Sequence, residues 1–201
     1  VQYNHGSSPY MLFGTAGDER LRITHDGKFG FNDNNPERTL DIKGSNCMVQ
    51  LEGTGGNGRQ YSLCSTDDTT GAAVGSAGQF VIYDDTSGAD RFTITSAGNV
   101  GIAITNPSAK LQVANGHINV SSGYSFQWGD THERIEQSDG KIEFFTNNGQ
   151  QMTLHGSNLG IGTDNPDHNL HVFQNAGDSV ISIESTGNGN DSALEFIRTS
   201  S

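Results

Sequence analysis

One motif occurs three times along this chain, and no other feature narrows its folding options as much. The first copy runs Arg20-Leu21-Arg22-Ile23-Thr24-His25-Asp26-Gly27-Lys28-Phe29-Gly30-Phe31, then Asn35-Pro36, and ends in Leu40-Asp41-Ile42. The second runs Arg91-Phe92-Thr93-Ile94-Thr95-Ser96-Ala97-Gly98-Asn99-Val100-Gly101-Ile102, then Asn106-Pro107, and ends in Leu111-Gln112-Val113. The third runs Met152-Thr153-Leu154-His155-Gly156-Ser157-Asn158-Leu159-Gly160-Ile161, then Asn165-Pro166, and ends in Leu170-His171-Val172. In each copy a glycine precedes the proline by six positions and a leucine follows it by four, which marks an internal repeat. The third copy is one residue shorter in its first turn, a deletion that a turn absorbs. The three prolines lie 71 and then 59 positions apart, so inserts of unequal length separate the copies.

Each part of the motif has a physical reading. Phe92 and Ile94, and then Val100, Ile102 and Ile104, alternate with other residues at the period of strands with one buried face. Asp26-Gly27 and Gly98-Asn99 fall between two such runs, where a tight hairpin needs residues that tolerate positive φ. Asn-Pro then turns the chain, because the ring fixes its own φ and pushes the preceding residue into an extended conformation. A third short strand, Leu-x-Ile or Leu-x-Val, follows.

The inserts continue the alternation at Val49/Leu51, Tyr61/Leu63, Phe80/Ile82, Ile118/Val120, Tyr124/Phe126/Trp128, Ile142/Phe144, Ile181/Ile183 and Leu194/Phe196, and no window favours a helix. The stretch Val49 to Leu63, interrupted by Gly53 to Gly58, is echoed by Ile181 to Leu194, interrupted by Ser185 to Asn190. Units are expected at residues 1–42, 43–113, 114–172 and 173–201. The chain stops where a further unit is expected to continue, as a piece of a longer protein would.

Only 32% of the residues are hydrophobic, with 27 glycines, so a large private core is not expected. Short strands with small apolar faces cannot bury them alone, since isolated hairpins are marginal in water. Solenoids stack regular repeats of roughly 20 to 50 residues, whereas these units are longer and unequal. Identical chains wrapped about an axis would cover one another instead. The expected fold is therefore all-β, an elongated repetitive β fibre of short strands and hairpins in which identical chains intertwine.

A formal net charge of -12 argues against nucleic acid and anionic membranes as partners. No run of about 18 apolar residues exists, and Val1 to Ser8 lack the regions of a signal peptide. A soluble chain without membrane insertion is expected. Cys47 and Cys64 lie 17 positions apart, without the spacing of a structural zinc site, and read as free, partly buried thiols whose redox compartment stays open.

The segment Ser96-Ala97-Gly98-Asn99-Val100-Gly101-Ile102 with Asn106-Pro107-Ser108-Ala109-Lys110-Leu111 resembles the repeated unit of phage tail fibres, particularly those of cyanobacterial and marine phages. So do Phe126-Gln127-Trp128-Gly129-Asp130 and Phe144-Phe145-Thr146-Asn147-Asn148-Gly149-Gln150. The resemblance spans most of the chain and implies a homotrimeric shaft in the virion tail fibre that takes part in host attachment. The implied partners are two further copies, other tail or baseplate proteins, and a host surface glycan or protein receptor. Similar repeats often precede a C-terminal self-cleaving chaperone, and no such segment is visible in these residues. The competing readings are a polysaccharide-depolymerising tailspike and a bacterial surface adhesin.

No catalytic, cofactor, metal or receptor-binding residue is assigned from the sequence, and a non-enzymatic protein without cofactors is expected. Glycoside hydrolysis needs two carboxyl groups a few ångström apart, yet Glu133, Glu136, Asp84, Asp85 and Glu143 are scattered. Glu143 reads as a solvent-facing strand position between Ile142 and Phe144. His168 and His171 are neighbours, but no HxH or HxxxH spacing supports a metal, and His171 points away from the side of Leu170 and Val172. Asp33-Asn34-Asn35 and Asp164-Asn165 read as turns rather than calcium loops. Tyr124, Phe126 and Trp128 share one face, read as buried core rather than a sugar platform. The glycines from Gly53 to Gly58 and from Gly187 to Gly189 read as hairpin loops, with no phosphate-binding pattern.

Overall fold

The computed structural model describes residues 1–67 and 75–183, and these are all-β, without a helix. Among the described residues three sheets form, each from strands consecutive in the chain. The first contains β1 (Gln2–Asn4), β2 (Tyr10–Thr15), β3 (Asp18–Thr24), β4 (Phe29–Phe31) and β5 (Leu40–Ile42). The second contains β6 (Cys47–Glu52), β7 (Gln60–Ser65), β8 (Phe80–Asp84), β9 (Ala89–Ile94), β10 (Val100–Ile102) and β11 (Leu111–Val113). The third contains β12 (Ser125–Trp128), β13 (Glu133–Ser138), β14 (Lys141–Thr146), β15 (Gly149–His155), β16 (Asn158–Ile161) and β17 (Leu170–Val172). The chain divides into two units, Val1–Ile118 with the first two sheets and Asn119–Ser201 with the third.

The repeat forms a hairpin followed by a parallel strand. Strands β3 and β4 pair antiparallel around a turn in which Gly27 has φ +83° and its N–H donates to the Thr24 carbonyl at 3.0 Å. Gly98 (φ +73°) and Gly156 (φ +60°) occupy the corresponding turns. His155 pairs directly with Asn158, so the third turn is the shortened one. After the Asn-Pro loop the chain returns parallel to the second hairpin strand, giving the pairs β4–β5, β10–β11 and β16–β17. All other strand pairs are antiparallel.

A fourth strand completes each module. Strands β2, β8 and β14 pair with β3, β9 and β15, and each pair carries a register irregularity, at Phe13/Gly14, Ile82/Tyr83 and Phe144/Phe145. Gly53 to Gly58 do form the β6–β7 hairpin loop. Ile118, Val120, Ile181 and Ile183 lie in no strand, contrary to their alternation, because no strand among the described residues pairs with them. The proposed echo from Ser185 to Leu194, with Phe196 and Gly187 to Gly189, lies outside the described residues.

Candidate interaction surface

Cross-strand partners share a face, so the registers separate the two sides of each sheet. On the first sheet one side presents Met11, Phe13, Leu21, Ile23, Phe29, Phe31, Leu40 and Ile42. The second presents Val49, Leu63, Ile82, Phe92, Ile102 and Val113 in one row, and Phe80, Ile94, Val100 and Leu111 in the next. The third presents Phe126, Ile135, Phe144, Met152, Ile161 and Val172 beside Ile142, Leu154, Leu159 and Leu170. None of these residues is charged, in a chain with 11 basic and 23 acidic side chains.

This apolar side is the uncovered one. The repeat leucines Leu40, Leu111 and Leu170 are 58%, 58% and 53% exposed, and Trp128 is 58% exposed. Burial occurs on the opposite side: on the second sheet Val81 and Thr93 are fully enclosed beside Ser62 and Cys64, and on the third Thr153 is. The single chain thus leaves its apolar faces open, as expected of short strands that cannot bury them alone. Alternation is present, but the chain closes its own loops over the small and polar side. The repeat glycines make this possible. A Cβ on Gly30, Gly101 or Gly160 would lie 2.2, 2.5 or 2.5 Å from the carbonyl oxygen of Asp33, Ile104 or Thr163, with the loop proline 3.4 Å away. Pro36, Pro107 and Pro166 are all buried there. Arginines seal the rest: Arg22 lies 3.9 Å above the Tyr10 ring and is paired with Glu19, and Arg134 lies 3.7 Å above Phe145 and is paired with Glu136.

Glu143 and Glu136 sit on this closed side, whereas Glu133 stands on the apolar side across from Trp128, and Asp84 pairs across from Tyr61. Glu143 is buried, not solvent-facing, and accepts the Ser138 hydroxyl at 2.8 Å. It lies directly across from Glu136, a pairing that residue spacing does not reveal and that register sets. Asp85 accepts the Ser62 hydroxyl at 2.8 Å. Asp84 is enclosed and accepts Arg59, Arg91 (2.7 Å) and the Ser87 N–H (3.1 Å). Asp33 is buried and accepts the Asn35 N–H, an Asx turn as its residue types indicate. Asp167 lies 2.6 Å from His168 and 3.0 Å from His171. Among the described residues no group of three or more His, Cys, Asp or Glu is placed to hold a metal ion. Phe126 and Trp128 share the apolar side with Ile135, whereas Tyr124 precedes β12 and is exposed. Cys64 is buried, and that burial, more than nearby Asp85 and Asp90, pushes its thiol pKa up. Cys47 donates its thiol to the Ile42 carbonyl at 3.1 Å.

Burial opposes ionisation of Asp84, but the hydrogen bonds from Arg91, Arg59 and Ser87 outweigh it, holding the carboxyl far below the usual range. Asp26, bonded by the Thr24 hydroxyl and then by Lys28, is lowered from 3.8 to about 2. A carboxyl lowered by folding stabilises the fold above its ordinary value, and the contribution is lost as pH falls. Stability is therefore expected to decline from about pH 4 to pH 2. Asp84→Asn should lower the thermal midpoint at pH 7 and flatten that decline, as followed by circular dichroism. An unchanged acid slope would remove Asp84 from this role.

Compared with protein-family models and with curated proteins, the chain matches none.

Proposed function

We propose that this chain is a length of a homotrimeric viral tail fibre, a structural and adhesive part of the virion that takes part in attachment to the host surface. The observation that carries the reading is the apolar side repeated, uncovered, on all three sheets, with Glu133 beside Trp128 at the end of the third. Full burial of a Val, Leu, Ile or Phe side chain stabilises by about 1.5–3 kcal/mol, so each half-exposed one retains about 1 kcal/mol for association. Patches of this extent on a soluble chain mark association surfaces, and a similar unit repeated along one chain favours copies of that chain as partners, because each unit then meets its own counterpart. The count of three, the fibre and the attachment role rest on the resemblance of the repeat to phage tail fibres. Two copies of itself, a tail or baseplate protein and a host glycan or protein receptor are the partners under this reading.

The test pairs sedimentation velocity with antibody work on virus particles encoding the chain. The expected result is an elongated trimer, antibody decoration of the tail fibres in electron micrographs, and reduced adsorption to host cells. A compact monomer, or particles whose fibres bind no antibody, would overturn the reading.

A further inference from the structure

The central residue of the third repeat strand differs in each copy, and the structure gives all three the same place. Asp41, Gln112 and His171 pair with the repeat glycines Gly30, Gly101 and Gly160, on the closed side under the proline loop. In the first two copies this residue fastens the loop. Asp41 Oδ2 accepts the N–H of Glu37 at 3.0 Å, and Gln112 Oε1 accepts that of Ser108 at 2.8 Å, in each case from the residue after the proline. In the third copy the corresponding residue is Asp167. His171 Nδ1 lies 3.0 Å from its carboxylate Oδ1 and is enclosed, yet makes no hydrogen bond.

We propose that the third repeat carries a proton-operated clamp, in which protonation of His171 fastens the Asp167 loop to β17 and deprotonation releases it. A neutral imidazole brings no charge to the carboxylate, and at 3.0 Å His171 Nδ1 makes no hydrogen bond to it. Protonation makes both ring nitrogens donors and places the opposite charge beside Oδ1. Histidine is the side chain whose charge changes between roughly pH 5 and 8. The groups around it are few. Gly160 stands opposite on β16, His168 shares Asp167 at 2.6 Å with its ring 6.3 Å from that of His171, and Phe173 offers a ring edge at 6.1 Å. Asp164 on the same loop reaches Lys141 at 4.0 Å. Glu143 lies further along the same side, beyond Thr153 and Gly160. The clamp does not depend on the fibre reading, since every contact is within one chain.

Hydrogen exchange by mass spectrometry, over peptides covering residues 159–172 and corrected for intrinsic rates, tests it on the intact chain. Exchange is expected to be roughly two- to fivefold slower at pH 5.5 than at pH 8, the range of a partly exposed ion pair. The effect should shrink in high salt. His171→Gln, which installs the residue of the second copy, should make exchange equal at both pH values. His168→Gln should leave the response in place. No pH response in the wild type, a response that survives His171→Gln, or one that vanishes only in His168→Gln would each overturn the clamp.

Discussion

Ile82→Glu is expected to leave folded but separate chains. Ile82 lies in the middle of the second sheet, with Leu63 and Phe92 as its cross-strand partners on the apolar side. In the single chain Ile82 is partly exposed, so a carboxylate there can reach water and the sheet survives. In an assembly the same carboxylate would be buried without a partner, which costs several kcal/mol for each copy. At about 4 kcal/mol the association constant falls roughly a thousand-fold per chain. Sedimentation velocity at matched concentration should show the loss of the large species, and circular dichroism should show an unchanged β spectrum. Gln50→Glu, on the opposite side of the same sheet and exposed, is the charge-matched control and should assemble normally. Assembly of Ile82→Glu like the wild type would remove the apolar side as the interface.

The second large effect is expected from Gly30→Ala. Gly30 does not have positive φ, so its requirement is space and not backbone conformation. The added methyl would sit 2.2 Å from the Asp33 carbonyl oxygen and 3.2 Å from the carbon behind it, and neither is a side chain that can swing aside. The loop must lift, taking Pro36 off the strand and weakening the β4–β5 pairing. Overpacking of this kind costs about 2–4 kcal/mol, at the upper end for a single methyl. Gly27→Ala makes the comparison, since Gly27 has open space but φ +83° and should lose only about 1 kcal/mol. Urea midpoints at one fixed protein concentration separate the two, because association shifts apparent stability by mass action. A Gly30→Ala variant no weaker than Gly27→Ala would show that the loop does not rest on that strand.

Much of the architecture is legible in the residues. Alternation at Phe92/Ile94 and Val100/Ile102 predicts paired strands, Asp-Gly and Gly-Asn predict the turns between them, and the one-residue deletion before Asn158 predicts the shortest of the three repeat hairpins. These are local properties, set by period and by turn chemistry within a few positions. The parallel return after the proline is harder to see, because nothing in Leu-x-Ile says which edge it will join. The fourth strand is legible in the second and third modules, where Phe80/Ile82 and Ile142/Phe144 alternate. The register shift opposite Phe13, Ile82 and Phe144 is not, because it depends on an extra residue in the partner strand.

The candidate residues divide in the same way. That Glu143 and His171 lie opposite the apolar stripe follows from their place in the alternation. That this opposite side is the enclosed one does not, since it depends on a loop crossing from six positions away.

The amino-acid order by itself determined that the chain is a repeated series of short strands, each with one apolar side, and that such sides need covering. Only the tertiary structure decided which side the chain covers for itself. The physical reason lies in the repeat glycines. By leaving out a Cβ at Gly30, Gly101 and Gly160 they let a loop carbonyl and a proline settle on the polar side. The apolar side, which hydrophobicity alone would place innermost, is thereby left open.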